Sequence, residues 1–171
     1  MSDFDHEEGV VVARNSRYKV DRKGRIWDTK DDVPVATRVS RGASGYLSVQ
    51  LCGSPQAVRV HLLVADAFLP PRPLGPPRYE LDHINMDSAD PRMENLRWAT
   101  RSQNMANRLG WTRKRMHQLP KNVFPTGQRF AVRIVKDRVE HRIGTYSTVA
   151  EAEIVAKRER LRLFGEFARD M

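Results

Sequence analysis

Leu81 to Asn107 reads LDHINMDSADPRMENLRWATRSQNMAN. It holds an Asp-His pair (Asp82, His83), an Asn before a Leu-Arg-Trp run (Asn95), and a further Asn nine residues later (Asn104). Successive side chains of an extended chain point to opposite sides, so Asp82 and His83 on one strand would address different neighbours. Thr100-Arg101-Ser102-Gln103 has the form of a capping box, which predicts a helix opening there, with Asn104 in its second turn facing back toward the Asp-His strand. A carboxylate and an amide carbonyl are hard oxygen donors of the kind that suit Mg²⁺, a cation held by one or two protein groups plus water and phosphate. An imidazole titrates near about 6.5, so His83 is the best general-base candidate at neutral pH.

The order and spacing, 12 residues from His83 to Asn95 and 9 from Asn95 to Asn104, resemble the HNH nuclease motif in the form found in phage and intron-encoded homing endonucleases. The resemblance implies an α+β protein built on a ββα-metal unit. It also implies metal-assisted hydrolysis of DNA, with Asp82 and Asn104 as metal ligands and His83 as the catalytic general base. Asn95, counted with the catalytic residues, would orient the loop or clamp the base. The implied cofactor is Mg²⁺ or Mn²⁺. One departure is Pro91, where relatives commonly carry Asn after the Asp matched by Asp90, and it is expected to alter only a surface turn.

Composition agrees with a polyanionic partner. The 171 residues carry a formal net charge of +9 and a sequence pI near 10.2. Residues 113–171 hold 14 basic against 7 acidic side chains, so the positive charge concentrates in the C-terminal third. No apolar run approaches the ~20 residues that span a bilayer, and the acidic opening MSDFDHEEG is unlike a secretory signal. The expectation is a cytoplasmic protein, in the host cell if phage-encoded, with no membrane partner and no small-molecule cofactor. With Cys52 as the single cysteine, neither a disulfide nor a structural zinc is expected, and Cys52 reads as a small buried strand residue.

The length allows one ordinary domain or several small modules, and three are read here. Residues 1–55 form an N-terminal antiparallel β module. Arg17 to Trp27 is a hairpin turning at Asp21 to Gly24, similar to the small module that often precedes HNH domains in homing endonucleases, although Asp21 stands where Ser is usual. An ordinary hairpin packing Tyr18, Val20, Ile26 and Trp27 describes the same residues. Residues 56–112 form the nuclease unit. Strands are expected over 45–52 and 57–60, then a short helix over 61–68 with Leu62, Ala65 and Phe68 as its buried stripe. His61 is an accessory candidate, touching phosphate, bracing the metal loop or serving structure alone. PPRPLGPP, residues 70–77, is a stiff connection.

Residues 113–171 form a basic connection and a three-stranded antiparallel sheet packed on one helix. Strands are expected over 122–124, 129–135 and 139–146, with turns at 125–127 and 136–138. Alternation would place Phe130, Val132 and Ile134 on one face, and Arg129, Ala131 and Arg133 on the other, joined by Arg142. A Thr148-Glu151 capping box would open a helix that covers the sheet with Ala150, Ile154, Leu161 and Phe164 and ends at Gly165. HRIGTYSTVAEA from His141 and FGEFA from Phe164 resemble the DNA-binding domain of plant ethylene-response factors. That resemblance implies a sheet that reads the major groove, where Arg matches guanine O6 and N7.

The DNA-binding candidates are Arg97, Arg108, Arg113, Lys114, Arg115, Arg129, Arg133 and Arg142. The partner expected is double-stranded DNA, engaged by a monomer that nicks one strand. The alternative is a non-catalytic, sequence-specific DNA-binding regulator that retains an HNH scaffold. RNA cleavage is weaker, because no aromatic stacking platform for single strands is evident.

Overall fold

The computed structural model describes residues 7, 9–39, 45–107 and 119–168, and the expected first hairpin is the N-terminal organising feature. Strands β1 (Val10–Val11), β2 (Tyr18–Val20), β3 (Ile26–Asp28) and β4 (Val33–Val35) pair antiparallel in chain order. Asp21 ties the β2–β3 turn, its carboxylate accepting from the backbone N–H of Lys23 and Arg25 and from Arg25 Nε at 2.6 Å. Gly24 has φ +76°, and a Cβ there would stand 2.6 Å from Pro91 Cγ. Glycine is therefore required twice over, by conformation and by contact. The neighbouring Arg22 carbonyl accepts from Met93 N at 2.8 Å. Pro91 is buried under this turn rather than part of a surface turn as expected, because the side-chain-free Gly24 leaves room for its ring.

Strands β5 (Arg38–Val39), β6 (Leu47–Val49) and β7 (Val58–Arg59) form a second antiparallel sheet, and β7 runs directly into α1 (Val60–Phe68). Val12, Tyr18, Val20 and Ile26 share one core with Val49, Leu51, Val60, Leu63, Val64 and Leu96. Helix α1 is apolar nearly all round, so either of two rows could have faced inward. Val60, Leu63 and Val64 do so with Ala65, whereas Leu62 and Phe68 of the expected stripe are only half-buried. Cys52 is exposed, not buried. It lies in a turn after β6, where Tyr18 Oη accepts from its N–H and Asn15 Nδ2 donates to its carbonyl, so its backbone is fixed while its thiol meets solvent.

Strand β8 (Tyr79–His83) and β9 (Leu96–Thr100) form a two-stranded sheet, joined by a loop that ends in a 3-10 turn at Met93–Asn95. The proline-rich 70–77 segment has neither helix nor strand, and Trp98 Nε1 donates to the Pro70 carbonyl. The capping box forms as expected at the start of α2 (Arg101–Asn107): Gln103 N donates to Thr100 Oγ1, and Thr100 N to Gln103 Oε1.

The chain divides into two compact units, 1–98 and 99–171. In the second, β10 (Val123–Thr126), β11 (Arg129–Lys136) and β12 (Val139–Tyr146) make an antiparallel sheet in that order, followed by α3 (Val149–Phe164). Pro125 belongs to β10 itself, tolerated because β10 is an edge strand, and the turn narrows to residues 127–128. The β11–β12 turn is two residues, Asp137 and Arg138, both at positive φ, as a type I′ hairpin requires.

Val132 and Ile134 are buried as alternation predicts, but Ala131, expected on the arginine face, is buried as well and Phe130 is only half-buried, with a bulge between Val132 and Arg133 interrupting the alternation. The α3 capping box at Thr148 and Glu151 and the Gly165 end are both present. The covering row differs from the expected one. Ala152, Ala156, Arg160 and Phe164 face inward, while Ala150, Ile154 and Leu161 are exposed. Alanines at four-residue spacing let the helix axis lie close to the sheet, which outweighs burying the larger aliphatics on its other face. Helix α2 joins this unit: Ala106 packs with Ile134 and Phe164, Ser102 Oγ accepts from Asp137 N at 2.9 Å, and Lys121 Nζ donates to the Ala106 carbonyl. Among the described residues no helix is long and apolar enough to cross a membrane.

Candidate active site

Strand β8 ends in Asp82 and His83, both buried, and the two side chains have different company. Asp82 Oδ2 accepts from Arg97 Nε at 3.0 Å, an ion pair across the β8–β9 sheet with both side chains largely out of solvent. Arg97, expected to contact DNA, is thus engaged by Asp82. His83 instead meets two rings. The His61 ring stands edge-on to it, centroids 4.9 Å apart at 87°, and Tyr46 lies at 5.8 Å. Tyr46 and His61 are themselves 4.7 Å apart, and the Arg59 guanidinium lies 4.5 Å from the Tyr46 ring centroid.

Burial pushes the His83 pKa down, against the opposing pull of Asp82, Asp90 and Asp87. The imidazole is therefore neutral near pH 7, the form that accepts a proton. His61 is driven further, to about 4, by burial first and then by His83 and Arg59. Its Nδ1 is buried without a hydrogen-bond partner among the described residues. His61 is a packed, neutral ring beside His83.

Asn95 is buried, and both ends of its amide bond the loop backbone. Its Oδ1 accepts from Asn85 N at 2.9 Å and its Nδ2 donates to the Asp90 carbonyl at 3.0 Å, while its own carbonyl accepts from Ile84 N. Asp90 is gripped by both Arg92 Nε and Nη2, which hold its carboxyl below the usual carboxylate range, and it accepts from Asn85 Nδ2. The loop between His83 and Asn95 is cross-braced by these bonds. Asn104 is half-buried on α2, in the second unit.

For a divalent cation, the donor chemistry at Asp82 fits. Asp82 offers the carboxylate oxygen such an ion prefers, but Arg97 already engages its Oδ2, so a cation there would share the carboxylate with the guanidinium or displace it. No group of three or more His, Cys, Asp or Glu able to hold a metal ion occurs among the described residues.

These features fall in one stretch of chain. Residues 58–106 match the family model described as HNH endonuclease. No curated protein matches the sequence. Among solved structures, one titled "DNA binding and cleavage by the HNH homing endonuclease I-HmuI" is similar at a TM-score of 0.48 and 22% identity, over 58% of this chain and 56% of that one. The present chain thus spans about half the length of that protein. The matched segment is similar to an HNH endonuclease and contains β7, α1, β8, β9 and most of α2.

The basic face of the C-terminal sheet carries Arg129, Arg133 and Arg142, with Arg133 opposite Arg142 in register. A carboxylate absent from the sequence reading sits among them. Glu140 pairs with Arg142 at 2.9 Å and lies 3.9 Å from Arg133, and Arg142, its first partner, lowers its pKa. Arg129 Nη2 donates to the Thr145 carbonyl. Arg108, Arg113, Lys114 and Arg115 lie outside the described residues. Sequence reasoning missed Tyr46 and Arg59, since nothing in their local sequence ties them to His83.

Proposed function

We propose that this protein is a DNA endonuclease that hydrolyses phosphodiester bonds with one divalent metal and His83 as general base, acting as a site-directed nicking or homing enzyme. The observation that carries this reading is a buried imidazole directly after a buried carboxylate, inside the segment that matches the HNH endonuclease family. In this mechanism His83 takes the proton of the attacking water, and its burial keeps the ring uncharged until then. Arg97 holds the Asp82 carboxylate in place, and Asn95 fixes the loop after the base. Mg²⁺ or Mn²⁺, held by Asp82 and Asn104 in a ββα-metal arrangement, would supply charge neutralisation at the scissile phosphate.

The 113–171 region, read as an ethylene-response-factor-like domain, would locate the duplex. Arg129, Arg133 and Arg142 would meet bases or phosphates, and Arg108, Arg113, Lys114 and Arg115 would track the backbone. A monomer with one such site cuts one strand per engagement. The test is a supercoiled-plasmid assay with wild type and His83→Ala, each with Mg²⁺ and with EDTA. Relaxed circles from wild type with metal only are expected. Salt-sensitive binding without cleavage in any condition would replace this reading with that of a non-catalytic DNA-binding protein.

A further inference from the structure

Strand pairing and the Asn95 loop bonds fix the backbone at His83, but they do not by themselves set the rotation of its imidazole about two side-chain bonds. A general base works only if its nitrogen meets the water at a fixed angle. Two walls of its surroundings are His61 at 4.9 Å and Tyr46 at 5.8 Å from the His83 ring, in the edge-on and tilted geometries that aromatic pairs favour. Tyr46 also closes on His61 at 4.7 Å, so the three rings contact one another in turn. Tyr46 lies outside the hydrophobic core cluster of its unit, and Arg59 stacks on it at 4.5 Å by the attraction of a cation to an aromatic face. His61, with Nδ1 unbonded among the described residues, contributes its ring here.

We infer that Tyr46 is a positioning residue for the His83 imidazole, acting on it directly and through His61, with Arg59 holding Tyr46. This rests on the proposed role of His83. Loss of the ring should misalign the base, so turnover falls while affinity stays.

The test is single-turnover cleavage of a nicked-site duplex by Tyr46→Leu, Tyr46→Phe and Arg59→Gln, with His83 ring-proton NMR on the same samples. Expected are a kcat lower by about tenfold or more in Tyr46→Leu with KM within about threefold, restoration to within about twofold in Tyr46→Phe, and a loss of a few fold in Arg59→Gln. In the spectra, Tyr46→Leu should shift the His83 ring protons and erase their cross-peaks to residue 46. Unchanged kcat in a folded Tyr46→Leu would overturn the inference and leave the nuclease reading intact. If wild type cuts nothing, the nuclease reading fails and the spectra decide: His83 signals unmoved by the Leu variant refute the ordering role, and shifted signals sustain it. Should Tyr46→Leu not fold, the surface variant Arg59→Gln carries the same two readouts.

Discussion

At the residue scale, the buried His61 links stability to pH. Its folded pKa of about 4 lies below the ordinary 6.5, so an unfolded chain binds a proton that the folded one refuses until about pH 4. The contribution of this group to stability is therefore complete above about pH 6.5 and lost as the pH falls toward about 4. His83, also lowered, acts in the same sense, and the groups facing His61 are His83, Tyr46 and Arg59. Urea unfolding at pH 7.5, 6 and 5 should show a flatter pH dependence in His61→Phe; matching slopes in both proteins would refute the assignment. The Asp82–Arg97 pair makes a second case. Arg97→Ala removes the guanidinium from a buried carboxylate and should cost about 3 kcal/mol, whereas Asp82→Ala/Arg97→Ala should cost less than the two single changes added. An additive pair would mean that the contact contributes nothing.

At the element scale, the β2–β3 turn and the loop before Asn95 behave as one construction. Gly24→Ala introduces a Cβ into the Pro91 ring at positive φ and should destabilise by roughly 2 kcal/mol. Adding Pro91→Ala should recover the steric part, and a thermodynamic cycle on the two positions reads the coupling. Zero coupling would mean the turn rests elsewhere. In α3, Thr148→Ala removes an N-cap that satisfies Glu151 N and should cost about 1 kcal/mol in thermal or urea unfolding. Elements also show why the buried helix faces differ from those the sequence suggests. In α1 and α3 the sequence supplies more apolar residues than one face holds, and the selected rows, Val60/Leu63/Val64 and Ala152/Ala156/Phe164, are set by what the sheets can receive.

At the scale of the whole molecule, a net charge of +9 makes association with a polyanion strongly salt-dependent. If the β11–β12 face meets phosphates, Arg129→Ala and Arg142→Ala should each reduce the slope of log K against log salt by about 0.9. Glu140→Gln should strengthen binding, because it removes the carboxylate that pairs with Arg142. Fluorescence anisotropy over a salt series in EDTA measures all three without cleavage. Unaltered slopes would move the contact surface away from this sheet.

What is local was legible in the chain itself. The Asp21–Gly24 turn, both capping boxes, a turn at 136–138 and the burial of Val132 and Ile134 in β11 each depend on residues within a few positions of one another. Asp82, His83 and Asn95 stand out as candidates for the same reason, since their spacing lies within one stretch of chain. Contacts between distant positions came only with the folded arrangement: Tyr46 beside His83 with Arg59 over its ring, Arg97 turned onto Asp82, Glu140 among the arginines, Pro91 beneath Gly24 and Cys52 facing solvent. Periodicity tells which side chains share a face but not what that face will meet. That is settled when separate elements compete for the same buried volume.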